Sequence, residues 1–142
     1  MPPRPTYTMA NILIVDDEEM DRLLEGRVIE EAGHTPFFAG DGKTAMQMYK
    51  ENNIALVITD LRMPKVDGLR LIRDLIAYDP QAAIIAVSGA EDQLEKAERL
   101  GALTGLIKPV EPLQLIQRVQ EVLDNLSTGG AGGTGDMWGS GW

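Results

Sequence analysis

Five polar residues of this sequence each follow a short apolar run: Asp16, Asp17, Asp60, Ser88 and Lys108. Three carboxylates brought together repel one another, because each ionised neighbour disfavours the next. A hard divalent cation relieves that repulsion, and Mg²⁺ suits a few carboxylates combined with water and a phosphoryl oxygen. The chain has no cysteine and one histidine, which disfavours a softer transition metal. The residues therefore indicate a magnesium site; a well-solvated helix N-terminus is the alternative for the acids after the first run.

The same residues could support phosphoryl transfer. The oxygens of a transferring phosphoryl group must be neutralised while a nucleophile attacks in line. An aspartate can be that nucleophile, which gives an aspartyl phosphate. Lys108 would then bind one phosphate oxygen as a compact cation, and Ser88 would donate a hydrogen bond to another.

The elements that position these residues are strands alternating with helices. Residues 12–15, 56–59 and 84–87 are continuous apolar runs rich in β-branched residues, which is typical of strands buried on both faces. Residues 103–107 are a weaker candidate, and Pro36 confines a fifth segment, 35–39, to a sheet edge. Strand–helix alternation five times over predicts an α/β fold with a doubly wound parallel sheet. Because the carboxyl ends of such strands emerge at one edge, we expect the polar residues to converge there.

Apolar residues at helical spacing predict the faces of three helices. We expect the first helix to be closed by Gly33 and the last to be entered through Pro112. The apolar faces comprise Met20, Leu23, Leu24 and Val28 in the first helix, Leu69, Ile72, Leu75 and Ile76 in another, and Leu113, Ile116, Val119, Leu123 and Leu126 in the last. Met20, Met46 and Met48 are interpreted as core filler, and His34 as structural or exposed.

Composition indicates one folded domain. The length of 142 residues suits a single core. The net charge of −9 argues against direct nucleic-acid binding, and no apolar run is long enough for a membrane span. We expect a flexible leader over residues 1–9, a folded domain over 10–126 and a Gly-rich disordered tail over 127–142, where both tryptophans lie.

Four segments resemble the receiver domains of two-component response regulators, in the order and spacing of that family: LIVDDEE, VITDLRMPKVDG, IIAVSGA and LIKP. The resemblance covers residues 10–126 and implies a (βα)5 flavodoxin-like fold with strand order 2-1-3-4-5. It implies that Asp60 is the phospho-acceptor. It also implies that Asp16, Asp17 and Asp60 bind Mg²⁺ together with the backbone carbonyl of Arg62, Asp17 more directly than Asp16.

The resemblance assigns two further site residues. Ser88 matches the hydroxyl that senses the phosphoryl group, and Lys108 matches the family's cation. Family structures also carry a cis peptide bond at the position of Lys108–Pro109. Two positions depart from the pattern: Gly105 stands where family members usually carry Tyr or Phe, and Gly89 stands where alanine is commoner.

The resemblance further implies a cytoplasmic regulatory domain, not an enzyme, that catalyses only its own phosphotransfer and autodephosphorylation. Its implied phosphodonor is a sensor histidine kinase or a histidine phosphotransfer protein. Its implied output is the binding of a downstream protein through a face formed by helix 4, strand 5 and helix 5, about residues 91–126. The alternative is a phosphoryl shuttle or sink in a phosphorelay with little conformational output, because Gly105 has no side chain to move.

Three rival interpretations fit less well. A haloacid-dehalogenase-type phosphatase needs a second acid two residues after its nucleophile, where this chain has Arg62. A flavodoxin-like flavin carrier needs a Ser/Thr/Gly-rich phosphate loop after the first strand, and the acids at positions 16–19 would repel phosphate there. A binding module that is never phosphorylated would not need the complete acceptor set.

Overall fold

The computed structural model describes residues 9–62 and 67–132, apart from the side chains of 127–132. Five strands and five helices alternate along these residues: β1 (Asn11–Val15), α1 (Glu19–Glu31), β2 (Thr35–Ala39), α2 (Gly42–Glu51), β3 (Leu56–Asp60), α3 (Gly68–Tyr78), β4 (Ile84–Ser88), α4 (Glu91–Leu100), β5 (Thr104–Ile107) and α5 (Pro112–Gly132). The expected leader, except Met9, the turn at Pro64 and residues 133–142 lie outside the described residues.

The strands form one parallel sheet in the order β2-β1-β3-β4-β5, as the resemblance implied. Every residue of β3 and β4 is buried, which explains their continuous apolar sequences. Pro36 lies in β2 at one edge of the sheet, where its missing N–H leaves no ladder bond unmade.

Helices cover both faces of the sheet, so the prediction of a doubly wound fold is confirmed. Successive residues of β1 point to opposite sides: Leu13 joins a core shared with α2, α3 and α4, whereas Ile14 joins a core shared with α1 and α5. Among the described residues, no helix has the length and apolar character needed to cross a bilayer.

The predicted face of α1 is wrong at three of its four residues, and only Val28 packs against the core. Met20 is 68% exposed and does not fill the core, and Leu23 and Leu24 are exposed as well. The helix instead buries Gly26 and Ile29. The ring of Phe38 lies so close that a Cβ on Gly26 would stand 2.4 Å from its Cζ. This glycine sets which side of α1 faces the sheet. Met46 and Met48 do pack against the core, and buried His34 accepts a hydrogen bond from the amide of Ala10, as a structural histidine would.

Helix α5 also differs from its prediction. It buries Leu115, Val119, Val122 and Leu123, while Leu113 and Leu126 are exposed. The helix continues to Gly132, so residues 127–132, which we placed in a disordered tail, are helical. Because helical hydrogen bonds are local, a helix can extend beyond its last core contact.

Candidate phosphoryl-acceptor site

The carboxyl edge of the sheet brings four of the five predicted side chains together, and Ser88 ends the strand next to that of Asp60. Asp16 and Asp17 follow β1, Asp60 ends β3, Ser88 ends β4, and Lys108 follows β5. Asp16, Asp60 and Ser88 are buried, whereas Asp17 and Lys108 are partly exposed. The site is therefore a cleft with a buried floor and an accessible mouth.

Asp60 is held by two hydrogen bonds. The ammonium of Lys108 donates to its Oδ2 at 2.8 Å, and the amide of Arg62 donates to its Oδ1 at 3.1 Å. Burial alone would lower the pKa of Lys108, but the hydrogen bond and the negative charge of Asp60 raise it overall. Lys108 is thus kept charged beside the carboxylate. The Lys108–Pro109 peptide bond is cis, as in family structures.

Three acids could hold a cation at this edge. Asp16, Asp17 and Asp60 each offer a carboxylate oxygen, and these oxygens lie within 4.8 Å of one another. Asp16 is 1% exposed, and its Oδ2 has no hydrogen-bond partner among the described residues, although its Oδ1 accepts from the amide of Glu18. A buried carboxylate oxygen without a partner is costly. The oxygen ligands and their charge fit a hard divalent cation such as Mg²⁺.

The position of Asp16 disfavours its ionised form. Burial raises its pKa from an ordinary 3.8 to about 6, and the negative charge of Asp60 acts in the same direction. The hydrogen bond from Glu18 and the charge of Lys108 only partly compensate. In the absence of a cation, burial and, to a smaller extent, the charge of Asp60 therefore destabilise the charged state of this carboxyl.

Ser88 and Arg62 lie at the same edge of the sheet, and their roles at the site stay predictions. The hydroxyl of Ser88 accepts a hydrogen bond from the amide of Ala90 at 3.1 Å, at the start of α4. Arg62 follows the end of β3 closely, and coordination by its carbonyl stays a prediction. Helix α1 begins after its N-cap residue Glu18, whose side chain makes no capping hydrogen bond, and Asp16 Oδ1 accepts from the amide of Glu18.

Sequence reasoning missed two residues of α1. The guanidinium of Arg22 donates to the carbonyl of Asp16 at 2.7 Å, which fixes the backbone that carries the first acid. Burial, and then the charge of Asp16, raise the pKa of Glu25 to about 7. For Glu25 the available signal was spacing, because Asp21 and Glu25 are four residues apart and share a helix face that begins next to the acid cluster.

Strand β5 packs closely against α4 where family members usually carry an aromatic residue. A Cβ on Gly105 would lie 2.9 Å from Cδ2 of Leu94 and 3.2 Å from its Cβ. Leu94 therefore occupies the space above Gly105. On the other side, Arg118 of α5 donates to the carbonyl of Gly105 at 2.9 Å.

A family model described as the response regulator receiver domain matches residues 12–120. The chain belongs to this receiver family. Receivers are regulatory domains of two-component and phosphorelay signalling, and they are not enzymes in the ordinary sense.

Three relatives show the kinds of protein that contain a domain similar to this receiver. Sporulation initiation phosphotransferase F of Bacillus subtilis is 30% identical over 99 residues, which cover 68% of this chain and 80% of that protein. The autoinducer 1 sensor kinase/phosphatase LuxN of Vibrio harveyi is 31% identical over 84 residues, 59% of this chain but only 10% of LuxN. The structure of the CheX–CheY–BeF3–Mg²⁺ complex from Borrelia burgdorferi matches with a TM-score of 0.76 and 31% identity, covering 80% of this receiver and 89% of that chain.

Proposed function

We propose that this receiver accepts a phosphoryl group on Asp60 from the phosphohistidine of a sensor histidine kinase or a histidine phosphotransfer protein, and then signals by binding a downstream protein. The observation that carries the proposal is the contact of Lys108 with Asp60 at 2.8 Å in a cleft that also contains Asp16 and Asp17. This arrangement supplies a nucleophilic carboxylate, a cation for the phosphoryl oxygens and acids for Mg²⁺.

The residues divide the chemistry among them. A carboxylate oxygen of Asp60 attacks phosphorus, and the P–N bond to the donor imidazole breaks as the P–O bond forms. Lys108 neutralises one phosphoryl oxygen, and the hydroxyl of Ser88 donates to another. Mg²⁺ would be held by Asp16, Asp17, Asp60 and the carbonyl of Arg62, and would supply positive charge against the phosphoryl oxygens. The same site would promote autodephosphorylation, its only other reaction.

The names of three relatives support the phosphotransfer and Mg²⁺ parts of the proposal. One is a phosphotransferase of sporulation, one a sensor kinase, and one a complex that contains BeF3 and Mg²⁺.

We further propose that the receiver acts in the cytoplasm and that it binds neither membrane nor nucleic acid. The net charge of −9 supports the latter, because phosphate backbones attract basic surfaces.

Substituting Asp60 tests the acceptor. We expect wild type incubated with a small phosphodonor and Mg²⁺ to gain the mass of one phosphoryl group by intact-mass spectrometry, and Asp60→Ala to gain none. EDTA should suppress the reaction in wild type. The matched control is Asp74→Ala, which removes an exposed acid of α3 that lies outside the cleft. A gain of phosphate by Asp60→Ala equal to that of wild type, or no effect of EDTA, would overturn the assignment.

The output would involve α4 more than β5. The hydroxyl of Ser88 bonds the amide of Ala90, directly before α4, and Leu94 of α4 packs on Gly105. A movement of Ser88 toward a phosphoryl group would therefore act on α4 without an aromatic side chain on β5. This geometry favours signalling by partner binding over a phosphoryl shuttle with little conformational output.

Amide chemical shifts with and without BeF3⁻ and Mg²⁺ distinguish these two functions. We expect the largest changes in the loops after β3 and β4 and in α4, and small changes in β5. Ser88→Ala should reduce the response of α4, because it removes the hydroxyl that accepts the hydrogen bond from the amide of Ala90, directly before this helix. Leu100→Ala, which changes the last residue of α4, is the control. Uniformly small changes would favour the shuttle, and changes centred on β5 and α5 with α4 silent would contradict the signalling route.

A further inference from the structure

We propose that residues 133–142 dock into a groove between α1 and α5 of the same chain. The groove is a cavity of about 550 Å³ that runs along α1 from Asp21 to Glu31 and is closed on its other side by Lys108 and the start of α5. Its apolar lining includes Leu24, Val28 and Leu115. The proposal concerns the tail alone and does not depend on phosphorylation of Asp60.

The groove supplies apolar surface against which the side chains of residues 133–142 can pack. Residues 133–142 contain Met137, Trp138 and Trp142 among glycines and small polar residues, so the segment cannot form a core of its own. A tryptophan side chain gains much of its stabilisation by covering apolar surface, even when its N–H stays near water. The half-exposed Leu24 and the partly buried Val28 supply that surface.

The length of the tail matches the position of the groove. The end of α1 lies level with Gln120 of α5, because the Nε2 atoms of Gln120 and His34 are 3.4 Å apart. From Gln120 to Gly132 the helix rises about 18 Å. An extended chain that doubles back from Gly132 covers roughly 20 Å by Trp138 and roughly 33 Å by Trp142. Trp138 can therefore reach the near end of the groove, and Trp142 can lie well inside it.

Topology favours this groove over its neighbour. Arg27 lines both grooves and makes no ion pair with any described residue, so it can pair with Asp136 or lie against an indole ring in either one. A second groove of about 450 Å³ lies between α1 and β2 and contains Leu23 and Phe38. That groove is on the far side of α1, so a segment leaving α5 would have to cross the helix to enter it.

Tryptophan fluorescence of the full chain tests the proposal directly, because both tryptophans belong to the tail. We expect an emission maximum blue-shifted from that of the urea-unfolded chain and at least a twofold smaller acrylamide quenching constant. Both properties should be independent of protein concentration. Tryptophans as accessible in the native chain as in urea would overturn the proposal. A blue shift that disappears on dilution would assign the groove to the tail of a second copy instead, and would equally overturn docking in the same chain.

Two neighbouring substitutions identify the groove. Leu24→Arg changes a residue that lines both grooves, whereas Leu23→Arg changes a residue that lines only the groove between α1 and β2, so an effect of Leu24→Arg alone points to the groove between α1 and α5. Both side chains are more than half exposed, at 58% and 51%, so neither substitution opens a core cavity. We expect Leu24→Arg to raise the quenching constant toward that of the unfolded chain and Leu23→Arg to leave it unchanged. Equal effects of the two, or no effect of Leu24→Arg, would contradict docking between α1 and α5.

Discussion

Replacing Gly68 by alanine should lower the free energy of unfolding by about 3 kcal/mol and impair the acceptor site at the same time. Gly68 is the first residue of α3, and it is buried against the end of β3. A Cβ at this position would stand 2.5 Å from the carbonyl oxygen of Asp60 and 2.6 Å from Cα of Leu61. Both atoms belong to the backbone, so relief of the clash requires displacement of the strand end that carries the acceptor.

Gly89→Ala is the matched control, because Gly89 lies in another loop at the same edge of the sheet. A Cβ there meets nothing within 4 Å, and the backbone does not adopt a positive φ. We expect this variant to be as stable as wild type, or more stable by about 0.5 kcal/mol, since alanine restricts the unfolded chain. Urea unfolding curves of both variants give the comparison. Equal midpoints would show that the backbone at the end of β3 moves away from the added methyl group at little cost in stability, and would contradict the prediction.

Much of this fold could be predicted from the sequence because its strands are short, continuous and β-branched. The position of Pro36 places β2 at an edge without any knowledge of its neighbours. The site follows from the same reasoning, because parallel strands bring their carboxyl ends to one edge. Asp16, Asp60 and Lys108 therefore converge although they are far apart along the chain.

The faces of the helices could not be predicted in the same way. The side of α1 that meets the sheet depends on the fit of the Phe38 ring over Gly26, a contact between two elements that apolar spacing within one helix does not encode. Likewise, the sequence shows at Gly105 that the usual aromatic side chain is missing, but not which side chain takes its place. The structure adds that Leu94 fills the space. In both cases a glycine is informative only together with the side chain that approaches it.

The second large effect concerns the pH dependence of stability without a divalent cation. In the unfolded chain Asp16 titrates near 3.8, whereas burial raises its pKa to about 6 in the folded chain. Between these values the folded state binds more protons than the unfolded state, so the free energy of unfolding falls as the pH rises. The total loss from this one group is about 3 kcal/mol and is complete about one pH unit above the folded pKa of about 6. Glu25, whose burial raises its pKa from 4.5 to about 7, extends the decline in the same direction.

Asp16→Asn should remove the Asp16 part of that decline and, with it, most of the stabilisation by Mg²⁺. Asparagine keeps the acceptor for the amide of Glu18 but carries no charge to be buried. At pH 8 without metal the variant should therefore be more stable than wild type, by up to about 3 kcal/mol. Mg²⁺ should raise the stability of wild type by binding only the folded state, and should have much less effect on the variant.

Thermal and urea unfolding at pH 5.5 and pH 8, with Mg²⁺ and with EDTA, measure the last part of this decline, about 1 kcal/mol for Asp16, and the effect of Mg²⁺. Asp74→Asn removes a charge from the exposed surface of α3, away from the cleft, and serves as the control for the change in net charge alone. The prediction is contradicted if wild type in EDTA is as stable at pH 8 as at pH 5.5. It is also contradicted if Mg²⁺ stabilises Asp16→Asn as strongly as wild type, because the unpartnered oxygen of Asp16 would then have no part in holding the ion.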